Sequence, residues 1–262
     1  MPHSVSQACQ SAMGARFGFG ESPDTGIPRL RTMPELNSGA VKHRWLFGLN
    51  ALLAWLGLAV ALLLNLLDTY PNTNTVPTIL GFNKPGSEGI VGRVLDYFSY
   101  FTIWSNILVA IVATLLFVDP LRRTRIFRVL RMDSLIMITV TGIIFAVILA
   151  PDVQLEGWQY VSNTLEHYIT PVLTVLVFLL IGPRGLFRIS SVFLALVIPF
   201  IWVAYTLVRG AVIDAYPYGF IDVGAHGYGT VTINLIGVVI FGIILGFVYL
   251  GLDRLFSKGA RA

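Results

Sequence analysis

The chain has 262 residues, 55% of them hydrophobic and only 12% charged, whereas an ordinary soluble domain is about a quarter charged. That balance excludes a water-soluble globular protein and identifies an integral membrane protein. The single cysteine, Cys9, excludes an internal disulfide and a thiolate metal cluster, and no HExxH, P-loop, GxGxxG or GxSxG pattern occurs.

Residues 1–44 contain no apolar run long enough to span a bilayer or to serve as a signal core, and they read as a disordered cytoplasmic tail. A transmembrane helix needs about 20 mostly apolar residues. Six stretches qualify: 46–67, 97–118, 134–150, 161–182, 190–208 and 229–251. The fold class expected is therefore an all-α membrane protein, a six-transmembrane-helix bundle over 45–254, followed by a short cytoplasmic tail over 255–262. The glycine-rich "GYGTV" at 227–231 reads as a loop leading into the sixth helix.

Lysine and arginine divide unevenly among the connecting segments. Fifteen of the 18 fall in the N-terminal tail, the loops after helices two and four, and the C-terminus. The other three are Lys84, Arg93 and Arg209. The positive-inside rule then places both termini in the cytoplasm of a multi-pass cell-membrane protein. The basic run "RRTRIFRVLR" reads as a topology anchor, so the net charge of +4 is not assigned to nucleic acid. Gly242 and Gly246 stand at GxxxG spacing, which permits close helix packing within the bundle.

Polar residues inside spans are costly and face a bundle interior or a wet cavity. In helix two, Ser99, Thr102 and Asn106 share one face at i, i+3 and i+7 spacing. In helix four, Asn163, Glu166, His167 and Thr170 do the same. Thr102 and His167 lie at matching depth from the outer side. Tyr205 and Arg209 end helix five there, and Asn234 begins helix six. The inner halves read as nearly pure Leu, Val, Ile and Phe. This pattern predicts one polar cavity in the outer half.

Each group also has a purely structural reading. Thr102 can back-bond to its own helix, and His167 can link helices. Glu166 can face headgroups or, less favoured, orient His167; Asp96 and Arg209 can pair at the interface, and Pro171 can kink helix four. The functional reading joins Thr102 as nucleophile to His167 as base, since a hydroxyl needs a neighbouring base to react. Ser105 is a rival nucleophile. Ser99, Ser105, Asn106, Asn163, Tyr205, Arg209 and Asn234 are the candidate substrate-binding groups, as donors to a developing oxyanion.

Several stretches carry a resemblance. "YFTIWSNILV" (100–109), "LEHYITPVL" (165–173), "WVAYTLVRGAVIDAYPYGFIDV" (202–223) and a closing "DR" (253–254) occur in order. The chain resembles the bacterial branch of the six-helix proteins related to the androgen-induced gene product and the androgen-dependent TFPI-regulating protein. That resemblance implies a threonine hydrolase acting on fatty acid esters of hydroxy fatty acids, with Thr102 and His167 at the matching positions and no metal or cofactor. It also implies a structural or lid role for the Tyr216-Pro217-Tyr218 turn. Ser105-Asn106 and the His167–Pro171 spacing depart from the animal members. The partners expected are the membrane and a lipid or fatty-acyl ester. Two other readings stay open: a non-catalytic lipid-binding or adaptor protein, and a small-molecule transporter.

Overall fold

The computed structural model describes residues 37–69, 79 and 83–259. Residues 1–36, with Cys9, His3, Arg16, Arg29 and Arg31, lie outside the described residues, as does Arg261. The described part of the expected tail, 37–44, holds a short helix, Ser38–Lys42, with Asn37 and Ala40 buried.

Six helices are long and apolar enough to cross a membrane: α1 (Trp45–Leu66), α2 (Phe101–Val118), α3 (Arg125–Leu149), α4 (Gln159–Ile181), α5 (Ile189–Ile213) and α6 (Val223–Ser257). No strand occurs among the described residues. The expected six-helix bundle is thus the observed fold. An even number of spans brings both described ends of the chain to one side.

Several helix ends differ from those expected. α3 begins nine residues before 134 because Thr124 caps it, its hydroxyl accepting the Phe127 N–H at 3.3 Å. The last helix runs on past 254 to Gly259, so the described part of the expected tail is helical. It also includes the expected "GYGTV" loop, broken only at Gly227 (φ 72°, ψ 159°), a conformation that only glycine adopts readily.

The most consequential difference is in helix two. The single span expected over 97–118 is two helices, Ile90–Tyr97 and α2, separated at Ser99-Tyr100. Tyr100 is extended at φ −83°, ψ 128°. Ser99 therefore does not share a helical face with Thr102 and Asn106. Thr102 sits in the first turn of α2 rather than deep within a longer helix.

The helices form a tight group and a looser one. α1 lies against α2 and α4, and α2 against α3. Small residues on α1, Ala51, Ala54, Gly57 and Ala61, make close approach possible, as packing between helices in lipid requires. α3 is the central helix, with Met132, Leu135, Met137 and Ile138 wholly buried. α6 packs directly on α3, and α5 joins both of them through Ile189–Leu194. The rest of α5, Val197–Ile213, meets the bundle through bulky side chains. Trp202 Nε1 donates to the Ser99 carbonyl at 2.9 Å, and its ring meets Phe101 edge-on at 4.9 Å. Those side chains hold the backbones apart and leave a cavity between α2, α3, α5 and α6, with about 810 Å³ of empty space counted out to and beyond its open mouth.

Polar groups are also buried toward the opposite end, where the sequence reads as nearly pure Leu, Val, Ile and Phe. Asn50 and Thr174 exchange hydrogen bonds between α1 and α4 at 3.0 and 3.2 Å. Thr139 meets Tyr249 at 2.6 Å, and Arg131, Asp133, Arg184 and Asp253 are buried.

Candidate functional site

Thr102 and His167, 65 residues apart in sequence, are in hydrogen-bond contact: Thr102 Oγ1 lies 3.1 Å from His167 Nε2. The other ring nitrogen, Nδ1, lies 3.2 Å from the Asn163 carbonyl. A carbonyl only accepts, so Nδ1 carries the proton and donates. Nε2 then presents its lone pair, and the Thr102 hydroxyl donates to it. The histidine is held in the tautomer that can take a proton from the threonine.

Local backbone builds this geometry. Leu165–Ile169 is a π-turn inside α4, next to Pro171, whose missing N–H cannot bond back to residue 167. The extra residue in that turn swings His167 toward α2 and Glu166 toward α1. Glu166 is 5% exposed and its Cγ lies against Gly57, where an added Cβ would come within 3.1 Å. Glu166 is thus packed between helices and does not face the headgroups, because the π-turn rotates it inward. A second π-turn, Phe145–Leu149, ends α3 opposite the first. Its Phe145 ring stacks on His167 at 3.8 Å and 25°. Gly142 lets α3 and α4 close up here, since a Cβ there would lie 3.0 Å from Pro171 Cβ.

The break before α2 matters electrically. N–H groups in the first turn of a helix have no intrahelical acceptor and carry the positive end of the helix dipole. Thr102 sits there, and its N–H reaches the Tyr218 hydroxyl at 3.4 Å. That hydroxyl also lies 3.5 Å from Thr102 Oγ1. Burial pushes the Tyr218 phenol up to about 12, so it is a neutral donor at physiological pH.

Tyr218 is the site group that sequence reasoning missed. The Tyr216-Pro217-Tyr218 turn carries two different tasks. Tyr216 packs over Gly210, where even a Cβ would come within 2.1 Å of its ring. Tyr218 reaches Thr102. The available signal was a tyrosine in a loop on the same side as the start of α2.

Thr102, 6% exposed, lines the cavity with Tyr218, Thr141 and Phe145, while His167 lies behind it. The remaining lining is almost wholly aliphatic and aromatic.

The other sequence candidates are bonded elsewhere and none lines the cavity. Ser105 Oγ donates to the Thr102 carbonyl at 2.9 Å and meets Thr141 Oγ1 at 2.9 Å. Asn106 Nδ2 reaches the Thr102 and Glu166 carbonyls at 2.9 and 3.2 Å, tying α2 to α4. Ser99 Oγ donates to the Leu95 carbonyl, as does Tyr205, each at 2.9 Å. Asn234 Nδ2 donates to the Phe220 carbonyl at 2.8 Å. Arg209 pairs with Asp96, as expected, and Asp96 also accepts from Asn83. Asn163 contributes its carbonyl to His167. Hydroxyls and amides in spans find backbone carbonyls first, which places these residues around the site as its support. Among the described residues, no group of three or more His, Cys, Asp or Glu side chains is placed to hold a metal ion.

The arrangement contains a hydroxyl, a base in the right tautomer, two donors at one helix start, and an apolar cavity beside them. Compared with protein-family models, with curated proteins and with solved structures, the chain matches none.

Proposed function

We propose that the protein is an intramembrane lipid-ester hydrolase in which Thr102 is the nucleophile and His167 the general base. The observation that carries this reading is the 3.1 Å contact between Thr102 Oγ1 and His167 Nε2, with Nδ1 fixed by a carbonyl, at the wall of an apolar cavity. The resemblance of "YFTIWSNILV" and "LEHYITPVL" to the family of threonine hydrolases described above points the same way, toward fatty acid esters of hydroxy fatty acids as substrate class.

In the first half-reaction Thr102 Oγ1 attacks the ester carbonyl carbon and gives its proton to His167 Nε2. The carbonyl electrons move onto oxygen, where the Thr102 N–H and the Tyr218 O–H stabilise them. Collapse breaks the bond to the alcohol oxygen, which takes the proton from His167 and leaves an acyl-Thr102. Water then attacks that acyl carbon and gives a proton to His167. The bond to Oγ1 breaks, Thr102 regains its proton, and the free acid departs. Phe145 keeps the imidazole in plane, and Ser105 and Asn106 hold the Thr102 carbonyl.

The basic end, with Arg123, Arg184 and Arg254, faces the cytoplasm of the cell membrane in this reading, and the site lies toward the other face. The almost wholly apolar lining favours one alternative, a protein that binds an acyl lipid without cleaving it. Hydrolysis of a branched fatty-acid ester by purified protein separates the two. The hydrolase reading expects turnover in wild type and loss in Thr102→Ala and His167→Ala, with all three folded. Wild-type protein that binds fatty acid and cleaves no lipid ester would leave the binding reading in its place.

A further inference from the structure

The two glycines of the GxxxG pair in α6 do different jobs. A Cβ at Gly246 would come within 2.7 Å of Val192 Cγ1 and 3.2 Å of Ile136 Cδ1. The absent side chain there is what lets α6 lie against α5 and α3. A Cβ at Gly242, one turn nearer the site, would meet Ile136 Cγ2 at 3.5 Å and Leu196 Cδ2 at 3.8 Å, ordinary contact distances. Helix packing therefore does not require glycine at 242. What the missing side chain leaves there is cavity, because Gly242 is part of its wall.

Gly242, Ile136, Met137 and Leu196 line the end of the cavity remote from Thr102. On α3, Ile136 lies nine residues before Phe145, the ring stacked on His167. At about 1.5 Å per residue this floor is roughly 13 Å along α3 from Phe145. Between them the walls are Val140 and Ile144 from α3, Pro199 and Val203 from α5, and Leu235 and Val238 from α6. The lining side chains there that carry a donor or acceptor, Thr141 and Trp202, are already bonded to Ser105 and to the Ser99 carbonyl, so a ligand with polar atoms along that path would lose hydrogen bonds to water with little replacement. A single alkyl chain loses none.

We propose that Gly242 sets the length of acyl chain the cavity accepts, the ligand being an ester of an unbranched fatty acid whose chain runs from Thr102 to Gly242. The assignment rests on the reading of Thr102 as the group that meets the ester, and its test has a readout that does not depend on cleavage.

Full-length protein in nanodiscs is given saturated fatty acids of increasing length, and displacement of cis-parinaric acid is measured in the Thr102→Ala background. The same lengths are offered to protein with Thr102 intact as 4-nitrophenyl esters. Affinity should rise roughly fourfold for each methylene buried, then level off where the chain meets the floor. Gly242→Leu should move that break to chains several methylenes shorter and weaken the longest by about tenfold or more. Gly242→Ala, which fits ordinary contacts, should move it least and serves if the leucine variant does not fold. Gly237→Leu is the control, since a Cβ at Gly237 meets no atom within 4 Å, and it should leave the profile unchanged. An unchanged profile in folded Gly242→Leu, or in Gly242→Ala where the leucine variant does not fold, overturns the assignment, as does absence of any length dependence in wild type. If the binding break shifts while no form of the protein cleaves an ester, the Gly242 assignment stands and the hydrolase reading fails. If esters are cleaved with one unaltered length profile, the hydrolase reading stands and the Gly242 assignment fails.

Discussion

Both ends of the bundle bury polar groups, and they use them differently. At the basic end Arg184 donates from Nη1 to the Phe178 carbonyl at 2.6 Å and from Nη2 to the Leu179 carbonyl, covering the C-terminus of α4, where carbonyls lack helical partners. Its ring neighbours are Phe178 and Phe256. Its backbone N–H goes to Asn37 Oδ1 at 2.6 Å, and its carbonyl accepts from Arg123 at 3.0 Å. Asp253 accepts the N–H groups of Gly185 and Phe187 at 2.8 and 2.9 Å. Five parts of the chain are joined there, and none of these groups lines the cavity. At the Thr102 end the supporting bonds are similar in kind, but Thr102, Thr141 and Tyr218 line open space. Buried polarity alone does not mark a site in a membrane protein. A polar group beside a cavity does.

That contrast can be broken or sharpened by substitution. The largest effect expected is on turnover: His167→Ala should lower kcat by about 10⁴-fold or more, because the hydroxyl loses its base, while the unfolding midpoint in detergent stays near that of wild type. Asp253→Ala should do the opposite. Leaving the buried Phe187 N–H without an acceptor, and the part-buried Gly185 N–H to water, should cost about 2 kcal/mol of stability, read by denaturant unfolding, with kcat per folded molecule unchanged. A similar loss of kcat in Asp253→Ala would mean that the two ends are coupled.

Tyr218→Phe comes next. Removing one donor to the oxyanion should lower kcat by about 10²-fold with little change in KM. With the Tyr218 phenol pushed up to about 12 by burial, loss of this donor by ionisation should appear near pH 12 and not near 10, the ordinary phenol range. The smallest effect is expected at Asn50→Leu, which removes one interhelical pair in the tight part of the bundle. It should cost about 1 kcal/mol or less and leave hydrolysis unchanged, as measured by unfolding and turnover on the same preparation.

The spans were legible in the sequence because a bilayer demands long apolar runs. Their ends were not, because ends depend on local capping. Nothing in "DYFSYF" announces a helix break, yet the break at Ser99-Tyr100 puts Thr102 at a helix start. The pairing of Thr102 with His167 could be read from matched depth. The rotation of Glu166 could not, since a π-turn adds a residue that helical spacing does not anticipate. For Ser99, Ser105, Asn106, Tyr205 and Asn234 the sequence points toward substrate, because polarity in a span suggests function. In the fold a carbonyl lies within reach of each. Tyr218 lay beyond sequence reading because the reach of a loop residue is set by how two helices pack. The basic end was read as a topology anchor, and its buried share, Arg131 at 2% exposed and Arg184 at 8%, emerges only once α3 and α6 are placed together.

The most direct test of the account is to find which atom becomes acylated. Purified protein is treated with a fluorophosphonate or with an activated fatty-acyl ester, digested, and the modified peptide is sequenced by mass spectrometry, for wild type, His167→Ala and Ser105→Ala. The account predicts an adduct on Thr102 in wild type and in Ser105→Ala, and none in His167→Ala. An adduct on Ser105, or labelling of Thr102 that persists without His167, would contradict it.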